Sequence, residues 1–400
     1  MSLRVSLAPK HATAGPLPIA PDAPAPLLDP RGAKIILGGL RADALVTPIA
    51  PAPDTLFGPR GVCLAGPDGP LFVSDTGHHR LLVWRGIPQA DGTPADLLIG
   101  QPDFGHEGRN AKGPVGSATL NVPTGVGAEN GVLAVADAWN HRVLLWHGYP
   151  DRSNRPADVV LGQGDFGESL ANRGGDRPRA DTLNWCYGVA IAGGRLFVAD
   201  TGNRRVLVWD AIPTRNGEPA DLVLGQRDFF CRDENAGRGA SAFGMRWPHA
   251  IACAGGALFV ADAGNNRIMR WDGLPQTNGA PCDAVLGQSR MNEVDNNQGR
   301  YFPSARALNM PYGLAVAGDH ILAADTANSR IVAWDAKDLS TGAAASRLAG
   351  QAGFSDKGDN RWGVPTRDSF CWPYGVATCG RRLAIADSGN NRVLLWDLAP

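Results

Sequence analysis

The chain has 400 residues and sets 38 Lys+Arg against 39 Asp+Glu, a balance that argues against a general polyanion binder, which carries a basic excess. Its 51 Gly and 31 Pro suit a fold of short strands joined by many tight turns. Seven scattered cysteines with no CxxC pair give no support to a zinc ribbon or a thioredoxin-like site, and free thiols fit a reducing compartment.

From the N-terminus, the first residues lack an apolar run of signal-peptide length. No stretch nears the roughly 18 apolar residues of a membrane span, so the expectation is a cytoplasmic chain without a membrane segment. Residues 1–32, Ala- and Pro-rich over 12–30, read as a flexible lead-in. Residues 33–400 read as one domain.

A repeat then takes over. Asp75…Arg80…Trp84 recurs at Asp137…Arg142…Trp146, Asp200…Arg205…Trp209, Asp262…Arg267…Trp271, Asp325…Arg330…Trp334 and Asp387…Arg392…Trp396, with the Asp residues 62 or 63 apart. Each unit holds four short apolar runs bounded by Gly, Asn and Pro. In the third these are Gly188–Ile191, Leu196–Asp200, Arg205–Trp209 and Asp221–Gly225. Runs this short read as strands, and four per unit is the blade of a propeller. The expected fold class is therefore all-β, a six-bladed β-propeller of four-stranded blades. The last unit stops at Pro400 without its fourth run, while Ala33–Gly39 matches the missing piece. The N-terminal segment should therefore complete the C-terminal blade and remove an open edge.

These residues resemble the NHL repeat family. The carriers are the openings Pro59-Arg60-Gly61-Val62 and Pro373-Tyr374-Gly375-Val376, the Val-Ala-Asp-x-Gly-Asn-x-Arg-Val turn, and the Val-Leu-Gly-Gln-x-Asp-Phe ending. The resemblance implies the propeller over residues 33–400. For function it implies a range: scaffolds, RNA binders, sensor domains and a few lyases. NHL-like amidating lyases bind zinc through histidines on several blades. Here only His249 stands at a comparable position, so that activity is not carried over.

The repeated Asp, Asn, Arg and Trp read as structural, because six like units cannot each be the active site. The exceptions carry the functional signal. Five Trp residues fall outside the repeat (Trp139, Trp185, Trp247, Trp362, Trp372), and all map to one face with Tyr187, Tyr301, Tyr312 and Tyr374. The residue just before each inner strand is Arg60, Thr124, Tyr187, His249, Tyr312 and Tyr374 in turn. All six should line the channel mouth. An aromatic one-sided mouth suits a planar ligand, a sugar or a cation, although the same rings serve equally to pack long loops onto the propeller.

Cys186 replaces a Pro found in the other five blades, and Cys371 precedes Trp372. With His249 they offer a thiolate–imidazole metal site or a nucleophile–base pair, the basis of an alternative reading as a lyase or hydrolase. The five long loops hold 15 basic against 14 acidic residues, far short of a phosphate-tracking surface, which argues against nucleic acid. The expectation is a non-enzymatic binding propeller with no cofactor. It would take a partner protein, peptide or small molecule through Arg60, Trp185, Tyr187, Arg246, Trp247, His249, Tyr312, Trp372 and Tyr374.

Overall fold

A computed structural model describes residues 24–39 and 49–400. Six sheets of four antiparallel strands succeed one another along the chain. Blade 1 comprises Gly61–Leu64, Leu71–Asp75, Arg80–Trp84 and Leu97–Ile99, ordered from the axis outwards. Blades 2 to 5 repeat this arrangement, and blade 6 is built on Pro373–Cys379, Arg382–Asp387 and Arg392–Asp397. The strands are apolar on both faces because each blade is packed on both sides. In Arg80–Trp84, Leu81 and Val83 join a core shared with blade 2, while Leu82 and Trp84 join one shared with blade 6. The two-residue period of a strand thus sends alternate side chains to opposite neighbours.

Closure follows the sequence expectation. Ile35–Gly38 pairs antiparallel with the outer strand of blade 6, Ile35 opposite Leu395 and Gly38 opposite Arg392. The repeated Trp records the substitution. In blades 1 to 5 its indole N–H donates to the carbonyl nine residues later, Thr93 for Trp84 and Glu218 for Trp209. In blade 6 Trp396 donates instead to the Asp29 carbonyl, at 2.8 Å.

The flexible lead-in expected over 1–32 needs correction at its end; residues 1–23 lie outside the described residues. Ala25–Pro26 adds a fifth, parallel strand to blade 5 against Arg347–Leu348, and Leu27 and Leu28 are buried. Two leucines following the Ala/Pro run supply enough apolar surface to fasten it across the last two blades.

The mouth residues also sit differently from the expectation. Outside blade 1 they lie within the inner strand rather than before it, at a register shift: Cys186 faces Asp200, yet Gly188 faces Ala199. Tyr187 is the extra residue of this bulge, and the matching irregularities span Thr124, His249, Tyr312 and Tyr374. A bulge leaves one residue unpaired and re-aims its side chain, here toward the axis.

Leu37, fully buried between blades 6 and 1, tests the closure. Leu37→Ala is expected to lower unfolding free energy by about 2–5 kcal/mol, the range for a core leucine, as Leu161→Ala does in a middle blade. Denaturant titration reads both; a loss below about 1 kcal/mol at Leu37 alone would contradict a closed ring.

Candidate functional site

The repeated polar residues form one device six times over. Oδ1 of each Asp accepts a backbone N–H at the entry to its own inner strand, from Phe57, Asn121, Asn184, Arg246, Asn309 and Cys371 at 2.6–2.8 Å. Oδ2 accepts Nε of the Arg five residues on, at 2.6–2.9 Å, with both groups buried. The guanidinium then fans out to loop carbonyls. Arg205 donates to Phe229 in the following loop and to Arg179 and Thr182 in the preceding one. In blade 3 the buried charge pair is tolerable because both carboxylate oxygens and all three guanidinium nitrogens are engaged. An Asn at the turn adds a pair to an Asn of the preceding long loop, as in Asn203–Asn172. In blade 1 His78 takes that place, between Asp75 and the carbonyl of Ile49.

A second repeated contact sets the residue two positions before the mouth. Gly58, Val122, Trp185, Met310 and Trp372 all have φ between 47° and 55°. Their N–H groups donate to the turn residue of the preceding blade: Asn391, His79, His141, Asn266 and Ser329. Between blades 3 and 4 the contact is missing. Arg204 holds the turn position and offers no acceptor. Trp247 instead donates to Asp262 at 3.3 Å, and its φ is not positive. The next exception is adjacent. An ideal Cβ on Gly188 would fall 1.8 Å from the His249 carbonyl oxygen, so the inner strands touch at glycine. The equivalent residue of blade 4 is Ala250.

At the mouth the side chains form a stacked arc. Tyr187 stacks on His249 at 5.0 Å, His249 on Tyr312 at 4.4 Å and Tyr312 on Tyr374 at 4.4 Å, with interplanar angles of 21–29°. The Arg60 guanidinium lies over Tyr374, 5.0 Å from its centroid. Below the arc, Thr124 and the small apolar residues of all six inner strands line a channel of about 400 Å³. Above it a notch of about 360 Å³ is bounded by Arg60, Trp185, Tyr187, Thr201, Gly202, Arg204, Trp247, His249, Tyr312 and Tyr374. Trp185 and Trp247 are 50% and 39% exposed, yet both are braced: Trp185 stacks on His141, and Arg246 lies over Trp247.

Residues 58–84, one blade's mouth through its strand Trp, match the NHL repeat family model. The same Asp, Arg and Trp recur in five further four-stranded blades. The chain is an NHL-type six-bladed β-propeller. No curated protein matches it. Among solved structures the propeller is similar to a hydrazine synthase from Kuenenia stuttgartiensis, at 14% identity over 90% of this chain and 99% of that one, with a TM-score of 0.48. It is also similar to the WD40 β-propeller domain of Doa1, at 9% identity over 92% of this chain and 96% of that one, with a TM-score of 0.45.

Of the nine nominated residues, the NHL propeller gathers Arg60, Trp185, Tyr187, Trp247, His249, Tyr312 and Tyr374 around the notch. Trp372 and Arg246 lie outside it. Arg246 is committed to Glu234 at 3.4 Å and to the face of Trp247. The proposed Cys186–Cys371–His249 grouping does not assemble. The Cys186 thiol is buried and donates to the Arg142 carbonyl, and burial pushes its pKa well up. Cys371 packs on Gly389 and is pushed up to about 12, by burial and by Asp359. Among the described residues no group of three or more His, Cys, Asp or Glu converges as a metal set. Arg204 is the residue that sequence reasoning missed. Aligning the six turns would have revealed it, since His79, His141, Asn266, Ser329 and Asn391 all carry an acceptor.

Two histidines tie the mouth to pH. Burial lowers His141 to about 4, and its Nδ1 must stay unprotonated to accept the Trp185 N–H. Burial, with Arg60 opposing a second cation, lowers His249 to about 4. A depressed folded-state pKa stabilises the fold above the unfolded value of 6.5, and that stability is lost as pH falls toward 4. His141→Asn keeps an acceptor and removes the titration. The His141→Asn/His249→Gln variant should therefore show a shallower fall in melting temperature from pH 7 to 4.5 than the wild type. Parallel slopes would contradict the assignment.

Proposed function

We propose that this is a non-enzymatic binding propeller that holds a ring-bearing ligand, or a peptide or partner segment presenting a ring, at the aromatic channel mouth. The observation that carries this reading is the continuous arc Tyr187–His249–Tyr312–Tyr374, capped by Arg60, beneath the exposed faces of Trp185 and Trp247. Rings fixed in advance lose little conformational freedom on binding, and stacking gains are retained. A cavity of this volume with apolar walls and few polar groups has the proportions of a ligand site. Large exposed aromatics concentrated at one opening mark an interaction surface. His249 donates Nδ1–H to the Trp247 carbonyl at 3.0 Å, which orients its ring as part of the stack.

The test is a set of ring-containing fragments and short aromatic peptides, screened by saturation-transfer NMR against wild type and a Trp185→Ala/Trp247→Ala variant. Both side chains project from the surface, so the variant should melt within a few degrees of wild type. The reading expects hits on wild type that vanish in the variant. It fails if the wild type takes no fragment, or if the variant keeps the same hits.

A further inference from the structure

The junction of blades 3 and 4 breaks the propeller's own rules twice within one notch. Arg204 replaces an acceptor that five other turns supply. Trp247 leaves the backbone conformation shared by its five equivalents. The first change forfeits an inter-blade hydrogen bond and places a guanidinium beside Trp185 and Trp247. Arg204 is not neutralised there. Its Nη1 donates to the Arg232 carbonyl at 3.1 Å, its Nε is buried without a partner, and no carboxylate pairs with it among the described residues. Arg60, on the far wall of the same notch, likewise has no carboxylate partner among them and rests on Tyr374. The neighbouring Arg246, by contrast, has its acid in Glu234.

We infer that the notch selects a planar anion: a flat ring carrying a carboxylate or a phosphate, with the ring against Trp185 and Trp247 and the anionic group toward Arg204 and Arg60. The inference deepens the binding reading above and rests on it. Two uncompensated guanidinium groups in a cavity of about 360 Å³ leave a charge that an anion would satisfy, and guanidinium forks match carboxylate and phosphate oxygens in pairs. The aromatic walls supply the planar selectivity. His249 adds no charge at neutral pH, since burial holds it near 4, so the two arginines set the electrostatics. A neutral ring would still stack but would leave both cations unpaired.

The experiment is calorimetric titration with indole-3-acetate, its neutral isostere indole-3-acetamide, and adenosine monophosphate. Wild type is expected to bind at least one anion about tenfold more tightly than the amide, a ratio typical of one charge-assisted contact. Tighter indole-3-acetate assigns a carboxylate, and tighter nucleotide assigns a phosphate. Arg204→Met removes the guanidinium without supplying an oxygen acceptor for Trp247, so the Trp247 wall keeps its place. It should melt within a few degrees of wild type and lose the tenfold preference, its anion affinity falling to that of the amide. Arg60→Gln should weaken the anion more than the amide. Equal binding of acid and amide overturns this inference while leaving ring binding standing. Failure of both anions to bind at millimolar concentration, or an Arg204→Met protein that keeps the preference, also overturns it.

Discussion

The buried Asp–Arg pair is the contact on which the rest of the propeller depends. One carboxylate oxygen fixes the entry to the inner strand and the other fixes the arginine, whose remaining donors hold the loops on either side. A six-residue segment thereby governs two stretches of chain on either side of it, residues 179–184 before and Phe229 after. The loops exceed the length that turns alone can specify, and their backbone groups would otherwise lack partners away from water. Pairing within the blade also satisfies the demand that a buried charge be compensated on the spot. The mouth aromatics inherit their positions from this pin, because the strand entry it holds lies next to the residues that carry them.

Repetition and exception therefore divide the work. The repeat builds a ring whose six openings would be alike, and substitutions at a few equivalent positions make one side of the mouth aromatic and another polar. Thr124 stands where Tyr187, His249, Tyr312 and Tyr374 stand in later blades, and Arg60 bridges the two halves by lying on Tyr374. Where Arg204 displaces an acceptor, the lattice of inter-blade contacts gives way locally and the notch between Trp185 and Trp247 appears. Local departures from an otherwise consistent pattern are where function is expected, since each gives up some stability.

Much of this was legible in the chain. The 62-residue period gave blade number and strand count, and the match of Ala33–Gly39 to the missing run gave closure. The gathering of Tyr187, His249, Tyr312 and Tyr374 around one cavity followed from their equivalent places in the repeat. Other features are tertiary and left no local trace. The bulges that swing Tyr187 and Tyr312 toward the axis depend on pairing across the blade. Burial of Leu27 and Leu28 depends on a surface assembled from blades 5 and 6, which an Ala/Pro-rich context conceals. Trp372 belonged to the nominated residues but is not part of the notch lining, and the commitment of Arg246 to Glu234 is visible only in three dimensions. Arg204 was hidden for the opposite reason: it sat inside a motif read as purely structural.

The central claim is that the repeated Asp–Arg pin holds the long loops at the channel mouth. Hydrogen–deuterium exchange on an Arg205→Lys variant tests it most directly, because lysine keeps a cation near Asp200 but cannot span the three carbonyls that Arg205 engages. The account predicts faster exchange confined to the loops over residues 164–185 and 227–247, with the strands Arg195–Asp200 and Arg205–Trp209 still protected. Unchanged exchange in those loops, or a uniform rise across all six blades, would contradict it.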